Sequence, residues 1–208
     1  MSLITNWGYT LTELDTALPD MLCEAEFDAM TAGKFSGDTR IPASITAAQS
    51  AIRNYCGWHL YPATECQMAT TLFDRRITAV GNWYLIQLPA RFVSAVSLVS
   101  IAGVEYTTFV LETNGILRLY DVARWLPPQS AVLINYTAGL PDALMMPIKD
   151  IIAHRVTHAL ANSYGVSSEA AGGVSVTYNA NWINSSRATA LPSDNKEVLE
   201  PYKLTGVF

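Results

Sequence analysis

The amino-acid sequence predicts an α+β fold, in which a helical bundle carries an inserted antiparallel β-sheet domain and is followed by an extended C-terminal arm. Two observations predict this arrangement. Apolar residues recur at three- and four-residue spacing in 19–60 and in 141–165, which is the period of an amphipathic helix. Between these segments, from 64 to 138, the period falls to two and β-branched and aromatic residues are enriched, as is typical of strands.

Three helices are expected. The first begins near Pro19 and ends at Gly33, and the second begins at Ser44, a residue type that caps helix N-termini, and ends at Gly57. The third covers 143–164 and has the most regular apolar stripe, which makes it a principal structural element. The stripe consists of Leu144, Ile148, Ile151, Ile152, Val156, Ala159, Leu160 and Tyr164.

Turn residues divide the segment 64–138 into five strands, or six if a hairpin across Ala102 and Gly103 counts as two. The expected strands are 65–73, 83–88, 95–101 with 105–111, 115–120 and 132–137. The chain therefore divides into four parts. These are an N-terminal segment with helices (1–63), an antiparallel β domain (64–138), a long helix that completes the helical domain (139–165), and an assembly arm (166–208).

Composition and charge exclude several functional classes. Half of the residues are apolar and 15% are charged, which indicates a globular chain and not a disordered one. The net charge is −5 and the basic residues are scattered, so no basic stripe is available to bind a phosphate backbone. DNA would pass such a surface without specific binding, because like charges repel.

The cysteines and the N-terminus indicate a reduced, non-membrane environment. Cys23, Cys56 and Cys66 are odd in number and lack metal-ligand spacing, so reduced thiols are expected. The N-terminus has no basic and apolar signal pattern, and no uncharged apolar run approaches the ~18 residues of a membrane span. We therefore expect no export and no membrane insertion by the chain's own signals.

One pair of histidines has the spacing of a zinc site. His154 and His158 share a helix face with Asp150 one turn earlier. However, no glutamate lies between the histidines in the metalloprotease pattern, and both sit opposite much of the apolar stripe. We interpret them as a polar or intersubunit face and predict no metal.

Other candidate chemistry is weaker. His59 lies in an aromatic segment without a nucleophile motif, and Gly172 with Gly173 precedes a strand-like run, which cannot cradle phosphate as a helix N-terminus does. Glu24 and Asp28 share a solvated helix face. Tryptophans such as Trp83 and Trp125 could stack sugars, but on strands they are more often core. The sequence therefore predicts no catalytic residue and no cofactor.

The order of several short motifs resembles a known family. Residues 132–139 (VLINYTAG) are followed by Leu140 and Pro141, a long amphipathic helix, and then 174–178 (VSVTY) and 198–204 (VLEPYKL). Residues 88–96 (LPARFVSAV) are similar to a strand entry in which Phe92 replaces the common proline. Together these motifs resemble the head-tail connector (adaptor) proteins of tailed phages, in particular the larger, sheet-containing members.

The resemblance implies a function without catalysis. Members of that family form a ring, usually a dodecamer, that joins the portal to the tail and extends the DNA channel. The expected partners are the portal protein, a tail or stopper protein, and further copies of the same chain. The expected location is the virion neck, assembled in the host cytoplasm. Two alternatives remain: another neck or tail-completion (stopper) protein, and a sugar-binding or enzymatic module.

The arm is the part of the chain that we expect to contact neighbours. It is rich in small polar residues, a composition that orders poorly alone, yet 174–178 alternates like a strand that could pair with an exposed sheet edge. The aromatic residues that follow could anchor in adjoining pockets. The interface residues of this hypothesis are Val174, Val176, Tyr178, Trp182, Tyr202 and Phe208.

Overall fold

A computed structural model of the chain describes residues 3–14, 17–122, 126–161, 168–171, 174–177 and 191–204. The contacts divide the chain into two compact units. The first unit contains Met1–Pro19, Gly57–Pro141 and Tyr202–Phe208, and the second contains Asp20–Cys56 and Asp142–Pro201. Helices and antiparallel sheets together give an α+β fold, as predicted.

The first unit contains two antiparallel sheets. The six-stranded sheet has the order β1-β2-β3-β10-β6-β7 and the four-stranded sheet has the order β4-β5-β9-β8. The strands are β1 (Leu3–Ile4), β2 (Thr10–Leu11), β3 (Thr64–Thr71), β4 (Ile77–Val80), β5 (Trp83–Gln87), β6 (Val93–Ile101), β7 (Val104–Glu105), β8 (Phe109–Glu112), β9 (Ile116–Tyr120) and β10 (Ala131–Ala138). The pair β11 (Ser168–Ala171) and β12 (Val174–Thr177) forms a separate antiparallel hairpin in the second unit.

Strand β10 is the centre of the six-stranded sheet. It pairs with β3 along its full length, from Ala131 opposite Thr71 to Ala138 opposite Thr64, and with β6 on its other side. Its alternate residues are almost completely buried, as period-two patterning requires. These residues are Val132, Ile134, Tyr136 and Ala138.

Each predicted run contains strand residues, but the grouping of these runs into one sheet was wrong. A single sheet was expected, whereas the chain leaves the six-stranded sheet after β3 and again after β7 to build the second sheet. The expected strand 105–111 is therefore broken between β7 and β8, which belong to different sheets. Strands β1, β2 and β4 were missed, because runs of two to four residues are too short to show a period.

The second unit contains α1 (Glu24–Met30), α2 (Ile41–Cys56), α3 (Met146–Ala161) and α4 (Ser193–Leu199). The expected start of α2 at Ser44 was wrong, because Pro42 occupies the first turn, where its missing N–H leaves no hydrogen bond unmade. Helix α3 begins after a 3-10 turn at Asp142–Leu144. None of the described helices is long and apolar enough to cross a membrane.

Polar contacts fix the helices of the second unit. Lys149 donates to Glu26 at 2.6 Å, which lowers the pKa of that carboxyl and links α3 to α1. The buried Gln49 side chain accepts the Met21 N–H and donates to Asp20. The contacts of Gln49 join α2 to the segment 20–30, and the contact of Lys149 joins α3 to it.

Part of the predicted arm is a helix. Helix α4 is followed by a 3-10 turn at Glu200–Tyr202, and Leu199 is fully buried. The Tyr55 hydroxyl donates to the Glu200 carboxylate at 2.7 Å, which raises the pKa of Tyr55 to about 12. Residues 166–167, 172–173, 178–190 and 205–208 of the arm lie outside the described residues.

Replacement of Ile152 by Asp should unfold the second unit. Ile152 is 0% exposed in the middle of α3, so an aspartate there would bury an unpaired charge. We expect a loss of free energy of unfolding of at least about 3 kcal/mol, measured by urea denaturation. Ala159 was expected in the apolar stripe but is exposed, so Ala159→Asp adds the same charge to the same helix at a cost of less than about 1 kcal/mol. Equal effects of the two substitutions would contradict the assignment of Ile152 to the core.

Candidate assembly surfaces

A buried histidine joins three distant parts of the first unit. The Nε2 atom of His59 lies 3.1 Å from the Pro62 carbonyl oxygen and 3.0 Å from that of Ala138. Because both neighbours can only accept, Nε2 carries the proton, and Nδ1 accepts the Tyr9 hydroxyl at 2.7 Å. The Tyr9 oxygen in turn accepts the His59 backbone N–H at 3.0 Å. His59 is 0% exposed and both of its ring nitrogens bond to groups of the fold, so its role is structural.

An aromatic stack holds the C-terminal segment of the first unit. Phe92 lies between Trp58 and Tyr202, with ring centroids 6.1 Å apart on each side. The Trp58 indole N–H donates to the Tyr202 carbonyl at 2.8 Å, and Arg91 donates to the Lys203 carbonyl at 2.9 Å. Phe92 stands where the resembled family has a proline, and its ring is the middle layer of this stack. The substitution thus has a packing role that the sequence did not reveal.

The predicted interface residues lie in different places. Val174 and Val176 are on β12, where they pair in register with Ala171 and Glu169 of β11. Tyr202 is half-buried against Phe92 of its own chain. The remaining three lie outside the described residues: Tyr178, Trp182 and Phe208. A role of this set in subunit contacts stays a prediction.

The histidine pair lies on α3. His154 is exposed and His158 is half-buried, and burial together with the neighbouring His154 lowers the pKa of His158. The neutral form of His158 is therefore favoured. In the part of the chain that the structure describes, no group of three or more His, Cys, Asp or Glu side chains is placed to hold a metal ion.

One face of the four-stranded sheet carries an arginine stacked on an aromatic ring. Arg118 lies over the Trp83 ring at 4.7 Å from its centroid and contacts the Glu112 carboxylate at 2.5 Å. Trp83 was expected in the core but is half-buried on this face, because the alternate residues Ile86 and Leu117 point to the core instead. A half-exposed aromatic with a stacked arginine is typical of protein interfaces.

Sequence reasoning missed another exposed aromatic, Phe73, which it assigned to a strand. The residue is 82% exposed in the turn after β3. The signal was present in the three charged residues that follow it, Asp74, Arg75 and Arg76, because such a run is typical of a loop.

Comparison with known protein families gives a match over most of the chain. Residues 24–205 match the family model described as head completion protein. The match includes the aromatic stack and the four-stranded sheet, and Met1–Pro19 of the first unit lie outside it. No curated protein sequence matches the chain significantly.

Substitution of the buried histidine should destabilise the chain. His59→Phe keeps a ring but leaves the Tyr9 hydroxyl and the Pro62 and Ala138 carbonyls without this partner. We expect a loss of about 2 to 4 kcal/mol in the free energy of unfolding, measured by urea denaturation at neutral pH. Tyr61→Phe, two residues away and half-buried, is the control and should change stability by less than about 1 kcal/mol. A His59→Phe protein as stable as this control would show that the hydrogen bonds of His59 are not needed for stability.

Proposed function

Because the chain belongs to the head completion protein family, we propose that it is a structural adaptor of a phage neck. In this proposal several copies form a ring that joins the portal to the tail and extends the DNA channel. The observation that carries the proposal is the family match over residues 24–205. The partners are then the portal protein, a tail or stopper protein, and other copies of the chain.

The exposed apolar surface of the first unit supports an assembly role. Ile4 and Phe73 are each 82% exposed, and Val104 and Val110 are more than half exposed. Large apolar groups that face water are stabilised when a neighbouring protein covers them. A ring subunit needs two such surfaces, one for each neighbour, because the contact between its copies is heterologous.

The chemistry of the buried groups supports a non-enzymatic role. Both ring nitrogens of His59 are engaged in hydrogen bonds inside the fold. Burial raises the pKa of the Cys66 thiol to about 12, so this cysteine stays protonated and is a poor nucleophile. These groups hold the fold together and are not available to a substrate.

The net charge fits a channel component. A chain with a net charge of −5 repels a DNA polyanion and lets it pass without lasting contacts. Virion location follows from the role in the neck, and assembly would take place in the host cytoplasm. A stopper or tail-completion protein would have similar exposed surfaces, so the position of the chain in the assembly has to be tested directly.

The proposal predicts a specific assembly defect. A phage in which this gene is inactivated should accumulate DNA-filled or DNA-losing heads and separate tails, and the chain supplied in trans should restore joined particles. Purified chain added to the defective lysate should sediment in a gradient with portal-containing heads. Sedimentation with isolated tails alone would favour the stopper or tail-completion role. Normal particle yield without the chain would contradict any function in head completion.

A further inference from the structure

A short loop of the first unit is held rigid by one carboxylate. The loop 72–76 connects β3 to β4, and thus one sheet to the other. Asp74 accepts the Thr70 hydroxyl at 2.5 Å and the backbone N–H and guanidinium of Arg76 at 2.7 to 3.0 Å. These hydrogen bonds hold the pKa of Asp74 well below its usual range. The carboxylate therefore stays charged and keeps these bonds at physiological pH.

The rigid loop presents an aromatic ring to solvent beside a cleft. Phe73 is 82% exposed, and Trp7 of the turn between β1 and β2 lines the same cleft, which has a volume of about 490 Å³. The Arg76 guanidinium lies against the backbone of that turn, since a Cβ added to Gly8 would lie 2.9 Å from its Nη1 atom. Trp7 is fixed by stacking on the buried Tyr9, at 6.2 Å between ring centroids. We call this site the Phe73 cleft; it is lined by Asn6, Trp7, Gly8, Phe73, Asp74, Arg75 and Arg76.

The charge of the Phe73 cleft is opposite to that of the chain. Its two arginines and one aspartate give a formal charge of +1, in a chain whose net charge is −5. Arg75 is exposed, whereas Arg76 is already engaged by Asp74. An apolar anchor that is already ordered loses little conformational entropy on binding. The cleft therefore fits a protein segment that carries a carboxylate next to an aliphatic side chain.

We propose that the Phe73 cleft of one copy receives helix α4 of a second copy. This inference rests on the ring of the proposed function. Val198 of α4 is 46% exposed, and the exposed carboxylate of Asp194 lies four residues earlier on the same helix face. Val198 would pack against Phe73 and Trp7, while a carboxylate would reach Arg75. Both partners occur on every copy, so the contact repeats around a ring.

The two parts of this contact have different roles. The apolar packing of an aromatic anchor supplies most of the affinity of such sites. The exposed ion pair adds little by itself, but a like-charge pair at the same place is strongly unfavourable. Charge reversal is therefore the more informative substitution, because it creates repulsion without changing the core of either unit.

Site-directed photo-crosslinking in virions tests the inference. Phe73 is replaced by photoreactive p-benzoylphenylalanine in the phage that encodes the chain, and purified particles are irradiated. We expect covalent dimers of the chain whose joined peptide contains residues 191–204. Crosslinks to a different virion protein, or dimers joined elsewhere, would overturn the inference and leave the proposed function intact. Absence of the chain from virions would overturn both.

Charge reversal gives an independent readout. Arg75→Glu and, separately, Asp194→Arg should each lower the amount of chain in particles at least about tenfold. The two substitutions in one chain restore an opposite-charge pair at every contact and should return incorporation to within about threefold of the unaltered chain. Lys34→Glu is the control for Arg75→Glu, because it changes the net charge equally on an exposed turn, and it should have no effect. No rescue by the double substitution would overturn the proposed pairing.

Discussion

The end of strand β10 packs so closely against the segment 59–63 that the rest of the first unit is arranged around this contact. At Gly139 a Cβ atom would lie 2.3 Å from the Ala63 Cα and 2.4 Å from the Pro62 oxygen, so no side chain fits there. The contact is closed by the Leu140 N–H, which donates to the Leu60 carbonyl at 2.7 Å. His59 completes it with its hydrogen bond to Ala138. The central strand is thereby fixed at the point where it leaves the sheet.

Segments from both ends of the chain are attached to the same place. Tyr9 ties the N-terminal hairpin to His59, and the neighbouring Trp58 holds the Tyr202 segment through Phe92. A second close approach, of Gly115 to the Ala90 carbonyl, fixes the start of β9, because a Cβ at residue 115 would lie 2.1 Å from that oxygen. These contacts fix the conformation of the first unit, and the Phe73 loop is ordered before any partner binds.

The fold class and the most regular elements were predictable from sequence because their periods are long enough to read. Strand β10 alternates over eight residues and helix α3 repeats over sixteen, so both were identified from patterning alone. The division into two sheets was not predictable, since it depends on which strand edges pair across long sequence separations. The exposure of Trp83 likewise follows from tertiary register, whereas the three charged residues after Phe73 already indicated a loop there.

The surroundings of the candidate site residues were also not predictable from the sequence. Tyr202 was expected to anchor in a neighbouring subunit, and it stacks on Phe92 of its own chain. The sequence does not distinguish an aromatic residue that packs within its chain from one that packs against another chain. The buried role of His59 could not be inferred either, because its acceptors are Ala138, a residue distant in sequence, and a carbonyl in its own turn. Long-range hydrogen bonds leave no periodic signal.

Electron cryomicroscopy of the virion neck would locate the chain directly. We expect its density, recognised by the six- and four-stranded sheets, to form a closed ring between the portal and the tail around the DNA channel. Density that fits the chain only in the head shell or the tail tip, or a neck in which it is absent, would contradict the proposed adaptor function.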